Sequence, residues 1–171
     1  MPERTVTILA GLPGSGKSTY LRQRRAGLPP NCCFDNFHEC SLDDSSAFKM
    51  ARCYAALREL LRIGKDCLIA DIEYCRTERR LDAVSEIGTI SRELGIAIRI
   101  GHAYFQNDPD ACRHNIVHRY VHSYWSGLSR DYIGELRNVD ELSAVYQCPS
   151  EGAIPVTRCC STFGRQPSSH A

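Results

Sequence analysis

The chain has 171 residues, 43% of them hydrophobic, and a formal net charge of +1: enough for one domain with a full core, and short of two. The charge balance argues against a broad electrostatic footprint for extended nucleic acid, and no apolar run approaches the roughly 20 residues of a membrane span. Ten cysteines occur without a C-x-x-C pair. Several lie inside apolar runs, so they read as reduced structural thiols of a cytoplasmic protein, and no secretory leader is read at Met1-Pro2-Glu3-Arg4.

Val6-Thr7-Ile8-Leu9-Ala10 predicts a first strand over about 5–10. The segment Gly11-Leu12-Pro13-Gly14-Ser15-Gly16-Lys17-Ser18-Thr19 follows and contains a complete G-x-x-x-x-G-K-S phosphate-binding loop. A helix is expected from Lys17 to about Arg25, which supplies the strand–loop–helix context that this loop requires. Glycines let the backbone curl so that its N–H groups face phosphate oxygens, and the helix N-terminus adds positive potential at the same place. Lys17 is suited to the β- and γ-phosphates of ATP, and the Ser18 hydroxyl to Mg2+. All residues from Gly11 to Thr19 are therefore expected nucleotide contacts.

Pro29-Pro30 breaks the chain, and Cys32-Cys33-Phe34 reads as a second strand ending at Asp35. A helix over about 43–63 carries Ala47, Ala51, Tyr54, Leu57 and Leu61 at helical spacing and stops at Gly64. Cys67-Leu68-Ile69-Ala70 forms a third strand ending at Asp71. A helix over 77–94 would bury Leu81, Val84, Ile87, Ile90 and Leu94, with Gly95 after it. A fourth strand spans 96–105, with Ile96, Ile98 and Ile100 on one face. Asn107-Asp108-Pro109 starts a helix that runs to about Tyr124, another covers 129–146, and a fifth strand covers 153–157. Residues 161–171 read as a flexible tail.

This alternation predicts an α/β domain over 1–160, with a five-stranded, mostly parallel sheet and helices on both faces. Such sheets bind ligands at the carboxyl ends of their strands, where the phosphate loop, Asp35 and Asp71 all fall. Asp71 after an apolar strand is suited to Mg2+, alongside Ser18, or to capping the next turn. Asp35 suits a general base toward an attacking hydroxyl and equally an Asx-turn. Arg113 and Arg119, on the helix after Pro109, could neutralise charge on a transferring phosphoryl group or form a solvated face. His114 and His118, four apart, could share a metal, but no glutamate of an H-E-x-x-H site accompanies them.

Taken together, Gly-Leu-Pro-Gly-Ser-Gly-Lys-Ser-Thr at 11–19, Asp35 and Asp71 resemble the P-loop kinases of the polynucleotide-kinase-like and zeta-toxin-like group. The resemblance covers roughly 5–158 and implies a P-loop NTPase fold of nucleoside-kinase-like form with a helical lid. It implies Asp35 as general base toward the substrate hydroxyl and a lid helix that clamps the phosphates. The group's lid often carries Arg-Asn-x-x-Arg. Aligned on Asn115, this chain has His114 and His118 at the two arginine positions, with Arg113 and Arg119 displaced by one residue. A second departure is Asp71-Ile72-Glu73, where the group often has Asp-x-Thr.

The expected function is an ATP- and Mg2+-dependent kinase that phosphorylates a hydroxyl-bearing acceptor. Its residues would be Lys17, Asp35, Arg119 and Arg113 for transfer, and Ser18 with Asp71 for Mg2+. The alternatives are an ATP-binding regulatory module without useful transfer and a nucleic-acid 5′-end kinase. No N-K-x-D guanine-reading motif appears.

Overall fold

The computed structural model describes residues 3–25, 27, 32–37, 46–125 and 132–159, and of residues 46–51 and 123–125 the backbone alone. Its strands are β1 (Arg4–Ala10), β2 (Cys33–Phe34), β3 (Cys67–Ala70) and β4 (Ile98–Tyr104). Its helices are α1 (Lys17–Arg25), α2 (Ser46–Arg62), α3 (Thr77–Leu94), α4 (Pro109–Trp125) and α5 (Tyr132–Ser143), with a 3-10 turn at Glu73–Cys75.

Every strand pair is parallel, in the order β2-β3-β1-β4. Phe34 pairs with Ile69, Leu9 with Ala70 and Ala10 with Tyr104. The strand ends are thus level, and Asp35, Asp71, Gly11 and Phe105 leave the sheet along one edge.

Alternation along the strands divides the core. Val6, Ile8, Cys67 and Ile69 face one side, with Leu57 and Leu61 of α2 and Ala83, Ile87 and Ile90 of α3. Leu9, Leu68 and Ala70 face the other, with Leu21 of α1. Each fully buried aliphatic side chain contributes about 1.5–3 kcal/mol relative to exposure, so both faces hold the phosphate loop's strand in place.

Several local expectations hold for clear reasons. Asp108 Oδ1 accepts from Ala111 N at 2.9 Å and caps α4 ahead of Pro109. Gly95 ends α3 in the left-handed conformation, at φ 63°. Ile96, Ile98 and Ile100 all pack on the larger core cluster.

Four expectations are corrected. The sheet has four strands among the described residues, not five. Residues 153–157 contribute only a bridge between Phe105 and Ile154, because Pro155 has no N–H with which to continue a ladder. On α3, Leu81 is 62% exposed and its neighbour Arg80 is buried. The helices expected over 43–63 and 129–146 end at Arg62 in α2 and at Ser143 in α5, and the expected starts at 43–45 and 129–131 lie outside the described residues. Seven cysteines among the described residues are free thiols, whereas Cys53 is disulfide-bonded. The expected tail, 161–171, lies outside the described residues, as do residues 38–45. No helix among the described residues is long and apolar enough to cross a membrane.

Candidate functional site

The glycine-rich loop leaves β1 at Gly11 and returns into α1 at Lys17. Gly14 and Gly16 hold φ values of 78° and 104°, a region that side-chain-bearing residues rarely enter. At Gly14 space is also limiting: a Cβ would lie 2.5 Å from the Cys112 carbonyl oxygen of α4. The loop is therefore packed directly beneath α4.

Lys17 is 7% exposed. Its Nζ donates to the carbonyls of Gly11 at 2.6 Å and Leu12 at 3.0 Å. Burial lowers its pKa, and this is opposed by Cys75, Asp71 and Asp35. Burial also pushes the Cys75 thiol up to about 11 and the Cys112 thiol up to about 12, so both stay protonated at neutral pH. The negative charges acting on Lys17 at neutral pH are then the carboxylates of Asp71 and Asp35.

Asp71 is 3% exposed, and its Oδ1 accepts from Glu73 N at 2.9 Å. It thus caps the 3-10 turn as well as standing beside the loop. Asp35 is exposed. The turn that presents it is built by Asn36, at φ 52°, a conformation asparagine tolerates. Buried Phe37 anchors the turn, its N–H donating to Ala70 O at 2.9 Å. Its ring meets Phe34 and Tyr54 edge-on, at 5.4 and 5.0 Å between centroids.

Ser18 lies exposed in the first turn of α1. Thr19 Oγ1 accepts from Arg22 at 3.1 Å. Ser15 Oγ is buried and has no hydrogen-bond partner among the described residues. An orphaned hydroxyl inside the loop is the kind of group that an oxygen-rich ligand would satisfy. The Ser18 hydroxyl and the Asp71 carboxylate are hard oxygen donors of the type that Mg2+ takes, so these residues fit that ion.

The two arginines of α4 are engaged with acids. Arg113 bonds Asp140 of α5 at 2.6 Å and Asp110 at 2.8 Å. Arg119 pairs with Glu135 of α5. His114 Nε2 lies 3.0 Å from Cys159 O.

Three residues near the site have roles that no local sequence pattern signals. Asn115, 7% exposed, donates from Nδ2 to Gly14 O and Thr157 O, both at 2.9 Å, and its Oδ1 accepts from Cys159 N at 2.7 Å. One side chain thereby ties α4, the phosphate loop and the 157–159 segment together. Arg80 donates to Tyr74 O at 2.6 Å, Cys75 O at 3.2 Å and Thr77 Oγ1 at 2.9 Å, and its guanidinium lies 5.5 Å from the Tyr104 ring centre. It fixes the turn after Asp71 against β4. Tyr146 Oη lies 3.1 Å from Ala10 O and 2.7 Å from Phe105 O, holding the two strand ends at the mouth of the loop.

No family model matches the chain, and no curated protein does. Among solved structures it is similar to a Chloroflexus aurantiacus protein described as a "putative kinase". The two are 18% identical, with a TM-score of 0.55 over 95% of this chain and 88% of the other. A second similar structure, APE1195, is 16% identical with a TM-score of 0.44, over 92% of this chain and 87% of the other. At these identities the first likeness is one of fold, and the second carries no argument.

Proposed function

We propose that the chain is an ATP- and Mg2+-dependent phosphotransferase of the P-loop NTPase fold, acting on a hydroxyl-bearing acceptor. The observation that carries the reading is the convergence on Lys17. A buried lysine held by two carbonyls of a glycine-rich loop feels the charge of two strand-terminal carboxylates, and Ser15 Oγ in that loop has no hydrogen-bond partner among the described residues.

In this reading the loop amides and Lys17 bind the β- and γ-phosphates, with Lys17 exchanging the Gly11 and Leu12 carbonyls for phosphate oxygens. Ser18 and Asp71 would hold Mg2+, which supplies charge neutralisation on the phosphates when bound. Asp35, exposed beside the loop, orients the acceptor hydroxyl and takes its proton. Arg119, and after it Arg113, would offset charge on the transferring group by releasing Glu135 and Asp140. The likeness to a structure described as a "putative kinase" supports this choice of reaction.

Asp35→Asn separates binding from transfer. The variant should keep its ATP affinity within about twofold and lose transfer to any accepted hydroxyl by a factor of about 100 or more, the usual scale for a general base. Equal loss of binding and transfer would remove Asp35 from that role.

A second reading is favoured by one observation: both lid arginines are committed to α5 acids. In a regulatory module those pairs would persist with nucleotide bound. Unchanged Arg119–Glu135 coupling in a double-mutant cycle, with and without nucleotide, is its signature.

A further inference from the structure

Beyond the phosphate site, α4 carries a histidine ladder, His114, His118 and His122, one turn apart. The sequence suggests His114 and His118 as a pair, but the geometry selects the next one. The ring centroids of His114 and His118 are 6.4 Å apart, and those of His118 and His122 only 4.3 Å. The Nε2 atoms of His118 and His122 face each other at 3.2 Å. His114 is diverted to the Cys159 carbonyl. Among the described residues no cluster of three metal-ligating side chains exists, so the described residues supply two ligands here.

We propose that His118 and His122 form a two-imidazole chelate for a late first-row divalent cation of the Ni2+, Cu2+ or Zn2+ class. A metal about 2.05 Å from each nitrogen, with the nitrogens 3.2 Å apart, subtends an N–metal–N angle of about 103°. That value lies between the octahedral and tetrahedral angles, so the pair accepts either geometry with only a small adjustment. Imidazole selects these ions over Mg2+, which keeps the site chemically separate from the oxygen ligands Ser18 and Asp71. The neighbouring cations are offset in place, Arg119 by Glu135 and Arg113 by Asp110 and Asp140. His122 is exposed and His118 half-buried, so water can complete the coordination shell. A bound metal would join consecutive turns of α4, the helix from which Asn115 holds Gly14.

The test is a calorimetric titration of Ni2+ into the whole chain, in excess Mg2+ and with accessible thiols alkylated so that Cys159 does not compete. One Ni2+ should bind per chain, and the melting temperature should rise with it. His118→Ala and His122→Ala should each weaken Ni2+ at least about tenfold, the lower end of what disturbing a metal's surroundings alone costs. His114→Ala should leave the affinity unchanged. All three variants alter half-exposed or exposed side chains, so their melting temperatures without metal serve as the folding control. Unchanged Ni2+ affinity in either His118→Ala or His122→Ala, or an equal loss in His114→Ala, would overturn the proposal.

Discussion

Replacing Asn115 by leucine, close in size but unable to hydrogen-bond, should loosen the glycine-rich loop at Gly14. Three hydrogen bonds are lost: two from Nδ2, to Gly14 O and Thr157 O, and one from Cys159 N to Oδ1. A net value of about 1 kcal/mol per bond gives about 3 kcal/mol. Thr157 and Cys159 are exposed, so water can replace the side chain there, and roughly half of those two contributions is recovered. The expected loss is then about 2 kcal/mol, equivalent to a melting temperature lower by about 4–8 °C for a chain of this size. Nucleotide affinity should fall about tenfold, because Gly14 is no longer fixed. Asn115→Asp sharpens the experiment. It keeps the acceptor for Cys159 but turns a carboxylate oxygen toward two carbonyls, so it should cost at least as much as leucine at neutral pH. Thermal melting and a nucleotide titration read both effects. A melting temperature for Asn115→Leu within 1 °C of wild type would refute the clamp.

Other outcomes follow from the same geometry. Because burial lowers the Lys17 pKa, and phosphate would favour the ammonium, nucleotide binding should take up a proton at pH values between the lowered pKa and the ordinary lysine range. Affinity should therefore fall as pH rises through the lowered pKa. Calorimetry in buffers of different ionisation enthalpy measures that uptake, and binding with no proton change at any pH below the ordinary lysine range would contradict it. Gly14→Ala should destabilise the fold by more than the roughly 1–2 kcal/mol of left-handed backbone strain, since its Cβ would also press on the Cys112 carbonyl at 2.5 Å. Gly88→Ala on α3, where a Cβ meets nothing within 4 Å, should instead stabilise by up to about 1 kcal/mol. Chemical denaturation distinguishes the two, and effects of the same sign would contradict this use of glycine.

The sequence made β1, β3, α1 and α3 legible because each combines a clear periodicity with a local stop. Ala10 runs into a glycine loop, Ala70 into Asp71, and Leu94 into Gly95. The glycine-rich loop between β1 and α1 was legible because its signals are local: glycines at positions of positive φ, directly ahead of a helix. Its companions depend on tertiary contacts. The burial of Arg80 rests on the carbonyls of Tyr74 and Cys75, Thr77 Oγ1 and the Tyr104 ring. Asn115 served as an alignment point, while its function rests on partners 101 and 42 residues away in the chain. The fifth strand failed on Pro155, a signal present in the sequence. Asp140 and Glu135, the α5 partners of Arg113 and Arg119, lie at spacings set by how the two helices pack.

In the proposed function Lys17 exchanges backbone carbonyls for nucleotide phosphates beside Asp35. A crystal structure with Mg2+ and a non-hydrolysable ATP analogue should then show Lys17 Nζ withdrawn from Gly11 O and Leu12 O onto the β- and γ-phosphates, with the γ-phosphate turned toward Asp35. A nucleotide bound outside the loop, with both Lys17 hydrogen bonds intact, would contradict it.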